Sequence, residues 1–173
     1  MKSSLWRRQI GGFLFTAVGG ILLHYLYDWF PFPPVALVSA VNESIWEHMK
    51  LLYVPLTLFA LIGGRCMAMN YPGYWCAKWW GTLAGLAAIP LLYYTYTGAL
   101  GVSADWFNIF IYFVAAAVAL GLETHLLRHH LPCRHPGWAR WLLIGLWGVF
   151  ILFTFATPHL PLFRDPLTET YGI

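Results

Sequence analysis

Five apolar runs alternate with short polar or proline-broken segments along the 173 residues of the chain. A membrane-crossing helix takes about 20 predominantly apolar residues, and the runs over 10–30, 45–64, 79–97, 106–127 and 138–156 meet that requirement. The breaks between them carry their own signals. Pro31-Phe32-Pro33-Pro34 cannot continue a helix, because proline lacks the backbone donor and clashes with the preceding turn. Gly63-Gly64-Arg65 closes the second run and Asn70-Tyr71-Pro72-Gly73 reads as a turn. Gly98 to Ser103 makes a brief connection, and the stretch from Arg128 to Pro136 is polar and proline-broken. Pro55 and Pro90 fall inside runs and predict kinks, which neighbouring helices can accommodate. A polar tail, 157–173, follows the last span.

The predicted fold class is therefore all-α, a polytopic transmembrane bundle of about five spans forming one domain over 1–173. Composition supports it: 60% of residues are hydrophobic and 10% charged, against roughly 25% charged in a soluble domain. A water-facing surface cannot be built from that supply. The basic N-terminus, with Lys2, Arg7 and Arg8, resembles the start of a secretory signal. The run behind it is too long for such a signal and lacks a small-residue cleavage site, so it reads as a retained span. No internal repeat is visible. The net charge of +3 is spread thinly, with no Lys/Arg run that would track a phosphate backbone. Nucleic acid is not an expected partner; the lipid bilayer is.

Charge sorts by side. Short cytoplasmic loops are enriched in Lys and Arg, and with the N-terminus inside, Lys2, Arg7, Arg8, Arg65, Lys78, Arg128, Arg134 and Arg140 fall on the cytoplasmic side. Lys50 and Arg164 fall outside. The expected orientation is thus N-terminus cytoplasmic and C-terminus outside. Many tryptophans lie near predicted span ends, where amphipathic rings prefer the headgroup zone. Cys66, Cys76 and Cys133 map to the cytoplasmic boundary, an odd count without a close pair, so the expectation is reduced thiols and no disulfide framework.

The acids sort oppositely. Asp28, Glu43, Glu47, Asp105, Asp165 and Glu169 map outside, and only Glu123 maps to the inner half. Three segments distant in sequence bring histidines and carboxylates to the same depth: His24 and Asp28 ending span one, Asn42 to His48 entering span two, and Pro158-His159 with Asp165 after span five. Residues four apart stack on one helix face, which pairs His24 with Asp28 and Glu43 with Glu47. Imidazoles and carboxylates converging at a membrane face suit zinc or a similar divalent ion, which takes N and O ligands. A water bound to that ion becomes a nucleophile near neutral pH. The candidate ligands are His24, Asp28, His48, His159 and Asp165, with Glu43 and Glu47 as candidate catalytic carboxylates. A structural reading stands beside this one. Ser44-x-x-Glu47 is a capping box with Asn42 and Glu43 favoured at a helix start, and His24 with Asp28 is also a plausible packing pair.

Two further candidates lie at the other end. His125, His129, His130, Cys133 and His135 offer N and S ligands around the last turn of span four, although such loops more often contact anionic lipid. Glu123 is an intramembrane carboxylate, suited to proton relay or to pairing with a nearby cation.

The segment Val41-Asn42-Glu43-Ser44-Ile45-Trp46-Glu47-His48-Met49-Lys50 resembles the V-N-E-S-x-W-E-H-x-K signature of a family of small bacterial multi-pass membrane proteins of unknown function. The resemblance extends to His24-x-x-x-Asp28 and to the Pro158–Asp165 segment with its Tyr171-Gly172 finish. It implies a prokaryotic inner-membrane protein and no particular chemistry. The sequence thus points to an outer-face polar pocket, first as a metal-assisted hydrolase acting on a lipid or other amphipathic substrate. A proton-coupled or small-solute transporter, and an accessory subunit binding another membrane protein, are the alternatives.

Overall fold

The computed structural model describes residues 2–129, 133 and 136–173. Their order is α1 (Lys2–Trp29), α2 (Pro33–Ala36), α3 (Ile45–Asn70), α4 (Tyr74–Leu100), α5 (Asp105–Arg128) and α6 (Pro136–Phe155), then a 3-10 turn at Pro161–Phe163. All but α2 are long and apolar enough to cross a membrane, which makes the chain a multi-pass membrane protein. No β-strand occurs among the described residues; a single bridge joins Arg164 to Tyr171 in the tail.

The helices outrun the apolar runs that predict them. Gly63 and Gly64, expected to end the second span, sit inside α3. Their role is close packing: a Cβ on Gly63 would collide with the Arg8 guanidinium, and one on Gly64 would lie 2.7 Å from the Trp75 ring. Arg8 in turn lies over the Phe59 ring, 4.9 Å from its centroid. The glycines therefore admit two large side chains from neighbouring helices, and the helix tolerates them because tertiary contacts outweigh propensity.

Pro55 and Pro90 also stay within continuous helices. At Pro55 the missing N–H frees the Leu51 carbonyl, and the Tyr112 hydroxyl lies 3.4 Å from it. Gly19 makes room for the proline ring, since a Cβ there would sit 2.9 Å from Pro55 Cβ. A neighbouring helix thus brings a polar group near the freed carbonyl, while the Tyr112 hydroxyl's hydrogen lies mainly on the Thr16 carbonyl at 2.7 Å.

α3 is the central helix, with 56% of its apolar window buried against 17–39% for the other spans. α4 and α5 form the most extensive helix pair. Gly81 and Gly85, one turn apart, let them approach until a Cβ would stand 2.5 Å from the Ala119 carbonyl and 2.8 Å from Ala119 Cβ. Small residues at four-residue spacing are how membrane helices pack closely without a hydrophobic driving force. On the other side of α3, Trp46 and Tyr53 pack on Phe150 of α6, and the Tyr53 hydroxyl donates to the Leu143 carbonyl. The outward faces of α1, α4, α5 and α6 keep large apolar side chains exposed, among them Leu14, Leu91, Ile109 and Trp141.

Alternation of five crossings gathers the start of α1, the end of α3, the start of α4, the end of α5 and the start of α6 at one end. That end carries Arg8, Arg65, Lys78, Arg128 and Arg140. The opposite end collects α2, the α2–α3 segment, the α4–α5 connection and the tail.

Candidate metal centre

The α2–α3 segment is shaped by its own polar residues. Ser44 is the N-cap of α3, its hydroxyl accepting from Glu47 N at 3.4 Å. The expected reciprocal half of the capping box is not made. Ser44 N donates instead to Asn42 Oδ1 at 3.0 Å, while the Glu47 carboxylate accepts from Val41 N at 3.2 Å. Ser39 anchors the segment to α1, its hydroxyl accepting from Tyr27 N at 3.0 Å and donating to the Leu23 carbonyl. This staple sets the end of α1 beside the start of α3, and with it His24 beside Glu43 and His48.

These three side chains converge: one ligand atom from each of His24, Glu43 and His48 lies within 4.8 Å of the others. His24 Nε2 is 3.6 Å from Glu43 Oε1, and His48 Nε2 is 3.5 Å from Glu43 Oε2. The rings meet edge to face, centroids 5.5 Å apart. The two imidazoles face different oxygens of Glu43, so tetrahedral coordination of one ion at about 2.0–2.1 Å, with neighbouring ligand atoms roughly 3.3 Å apart, requires the three ligand atoms to draw in from their spread of up to 4.8 Å.

The proton positions also suit a ligand role. His48 Nδ1 lies 2.9 Å from the Ser44 carbonyl, which can only accept, so Nδ1 carries a hydrogen and Nε2 is the ring nitrogen that faces Glu43. Metal-binding histidines are held in this way by a hydrogen bond on the far nitrogen. His24 Nδ1 is buried without a hydrogen-bond partner among the described residues. At 3.6 Å the His24–Glu43 contact is an ion-pair contact more than a hydrogen bond. The His24 imidazole is nevertheless the leading cause that holds the Glu43 carboxyl below its ordinary range, against the opposing effect of burial. Glu43 is thus ionised and available as a ligand at neutral pH.

The other sequence candidates are placed differently. Glu47 is buried and paired with Lys50 at 2.6 Å. Thr154 of α6 donates to it at 2.8 Å. Asp165 offers its oxygens to three backbone donors, Leu167 N at 2.7 Å, Thr168 N at 3.3 Å and Glu43 N at 3.3 Å. Burial would raise its carboxyl, but these donors outweigh burial and hold it below the usual value. Asp28 is exposed at the end of α1. His159 packs against Tyr171 in a tilted arrangement, centroids 4.7 Å apart, within the tail. Only His24, Glu43 and His48 form a three-ligand group among the described residues.

The cluster opens into a cavity of about 450 Å³, within the usual range for ligand sites. His24, Glu43, His48, Asp105 and Asn108 line its polar part, and Ile21, Leu51, Ile109 and Phe113 its apolar part. A smaller space of about 170 Å³ continues past Glu43 and His48 to Tyr93 and Ser103. Asn108, Tyr112 and Leu167, which line both spaces, carried no metal-ligand signal in sequence. Asn108 sits one turn after Ala104, in the first turn of α5, and accepts from the Tyr96 hydroxyl, so the helix-start position is what aims it inward.

At the basic end, Glu123 of α5 pairs with Lys78 of α4 at 2.5 Å, both nearly fully buried. The partner is a lysine that sequence reading assigned to a loop, because α4 begins at Tyr74. Cys76 and Cys133 are joined in a disulfide, Cα atoms 6.2 Å apart, and Cys66 remains free. This corrects the expectation of three reduced thiols: α4 and α5 form a helical hairpin that brings the chain back to the first turn of α4, where Cys133 meets Cys76. Cys133 is then no thiolate ligand. His125 and His129 stack with centroids 4.4 Å apart, while His130 and His135 lie outside the described residues.

Residues 4–173 match the family described as Family of unknown function (DUF6512). No curated protein and no solved structure matches the chain.

Proposed function

Because the chain belongs to DUF6512, a family of unknown function, its activity has to be sought in the site, and we propose that His24, Glu43 and His48 bind one divalent cation, zinc or a close equivalent, and use it for hydrolysis. The carrying observation is the convergence of two imidazoles and one carboxylate within 4.8 Å beside an open cavity. Three protein ligands leave a coordination position for water, the arrangement of catalytic rather than structural zinc sites. Held by His24, Glu43 and His48, the cation would supply an acidified water for attack on an ester carbon or phosphorus, and the Glu43 carboxylate beside it would be the base that could carry the water's proton to the departing oxygen.

This reading places the site end outward in the cytoplasmic membrane of a prokaryote; the basic residues gathered at the other end favour that orientation, and the Cys76–Cys133 disulfide at the same basic end counts against it. The Tyr112 hydroxyl donates to the Thr16 carbonyl at 2.7 Å beneath the cavity, which favours a blind pocket over a transport path. Turnover of a chromogenic phosphodiester and a carboxylic ester by the full-length protein in detergent, with added zinc, tests the reading. Activity that requires zinc and is lost in His48→Ala and Glu43→Gln supports it. Absence of zinc-dependent turnover of either ester class contradicts the hydrolytic role.

A further inference from the structure

The cavity is divided in a way that a soluble substrate would not require. α1 and α5 touch where the Tyr112 hydroxyl reaches Thr16 and where a side chain on Gly20 would collide with that hydroxyl. One turn beyond this contact, His24 of α1 and Asn108 of α5 line the same cavity. The polar groups lie at the end of the cavity near the tail. The walls below are Ile21, Leu51, Ile109 and Phe113. Ile21 and Ile109 are 49% and 56% exposed, and they sit on helices long and apolar enough to face bilayer hydrocarbon. The cavity therefore opens sideways, as a gap between α1 and α5.

We propose that this gap seats one acyl chain of a membrane phospholipid, which enters laterally from the bilayer and presents its phosphate to the His24–Glu43–His48 cluster. The inference rests on the cation reading, since a phosphate beside Glu43 and Asp105 needs a positive centre to offset the two carboxylates. Polar and apolar parts of the substrate match the two parts of the cavity in order: phosphate at headgroup level, chain toward the hydrocarbon. A cavity of about 450 Å³ accommodates the ester region and the first part of a chain, with the remainder left in lipid.

The test uses the full-length protein reconstituted in vesicles of phosphatidylglycerol and phosphatidylcholine, then released into mild detergent. Native mass spectrometry counts retained phospholipid and zinc in the same samples. Ile109→Trp closes the side opening from an exposed position, and Ile144→Trp, 54% exposed on α6, controls for a surface tryptophan. One retained phospholipid per chain, lost in Ile109→Trp and kept in Ile144→Trp, is the expected result. Glycerol 3-phosphate, which has the phosphate without the chain, should bind more than about tenfold more weakly than the phospholipid, because it forgoes the buried methylenes. Zinc bound without retained phospholipid, or equal binding of glycerol 3-phosphate, overturns the lipid seat and leaves the cation site standing. Phospholipid retained without zinc overturns the placement of its phosphate at the cluster together with the cation reading.

Discussion

Replacing Glu47 by glutamine separates a structural carboxylate from a catalytic one. The Lys50 ammonium is fully buried and has three partners: Glu47 Oε2 at 2.6 Å, the Ala36 carbonyl at 2.8 Å and Thr154 Oγ1 at 3.0 Å. These match its three donors. Glutamine keeps the shape but removes the only negative charge among them. Breaking a buried pair from one side typically costs about 3–5 kcal/mol, because an uncompensated charge remains. For a chain of this size, at about 2–4 °C per kcal/mol, the melting temperature should fall by roughly 6–20 °C. Lys50→Met alone should also destabilise. The Glu47→Gln/Lys50→Met double variant should recover much of the loss, since neither charge is then stranded. Thermal unfolding in one detergent, followed by near-ultraviolet circular dichroism, reads all four proteins. Because Glu47 stands outside the cation cluster, zinc stoichiometry should be unchanged in the folded variant. A Glu47→Gln protein that melts like the parent, or a double variant whose loss equals the sum of the singles, would refute the assignment of Glu47 as the buried partner of Lys50.

Asp165→Asn removes the charge that gathers three backbone donors, including Glu43 N. It should loosen the tail toward proteolysis and weaken zinc binding by roughly 10–100-fold, as loss of a group supporting a ligand does, measured by competition with a chelating dye. The same carboxyl is held below its ordinary value of 3.8, so its contribution to tail docking is present above that pH and lost as pH falls through the lowered value. Proteolytic release of the tail with an acid-active protease should therefore rise only in strong acid. Gly81→Ala puts a Cβ 2.5 Å from the Ala119 carbonyl, a backbone neighbour that cannot give way. Overpacking of this kind should cost about 1–3 kcal/mol, seen as a lower melting temperature.

Hydrophobic run length was sufficient to find all five long helices, since a bilayer crossing needs an apolar segment of fixed size. Helix ends were less legible. Gly63 and Gly64 look like a stop, and only the arrival of Arg8 and Trp75 from other helices shows that they are packing positions. Lys78 reads as a loop cation until Glu123 is placed beside it, 45 residues later, by the α4–α5 hairpin. At the site, sequence brought three polar segments to one end because alternation of crossings requires it. Which members meet depends on rotation about each helix axis. His48 turns toward Glu43 while Glu47, its neighbour, turns into the α3–α6 interface. Asp165 reads in sequence as a candidate ligand, whereas its oxygens serve backbone donors because of the turn it occupies.

The central claim is a single cation held by His24, Glu43 and His48. Equilibrium titration of the metal-free full-length protein with zinc, read by total metal content after desalting, tests it most directly. One zinc per chain is expected for the parent and for His159→Ala, whose imidazole packs against Tyr171 away from the cluster. His24→Ala, His48→Ala and Glu43→Gln should each lose it. No bound zinc in the parent, or full occupancy in all three cluster variants, would contradict the account.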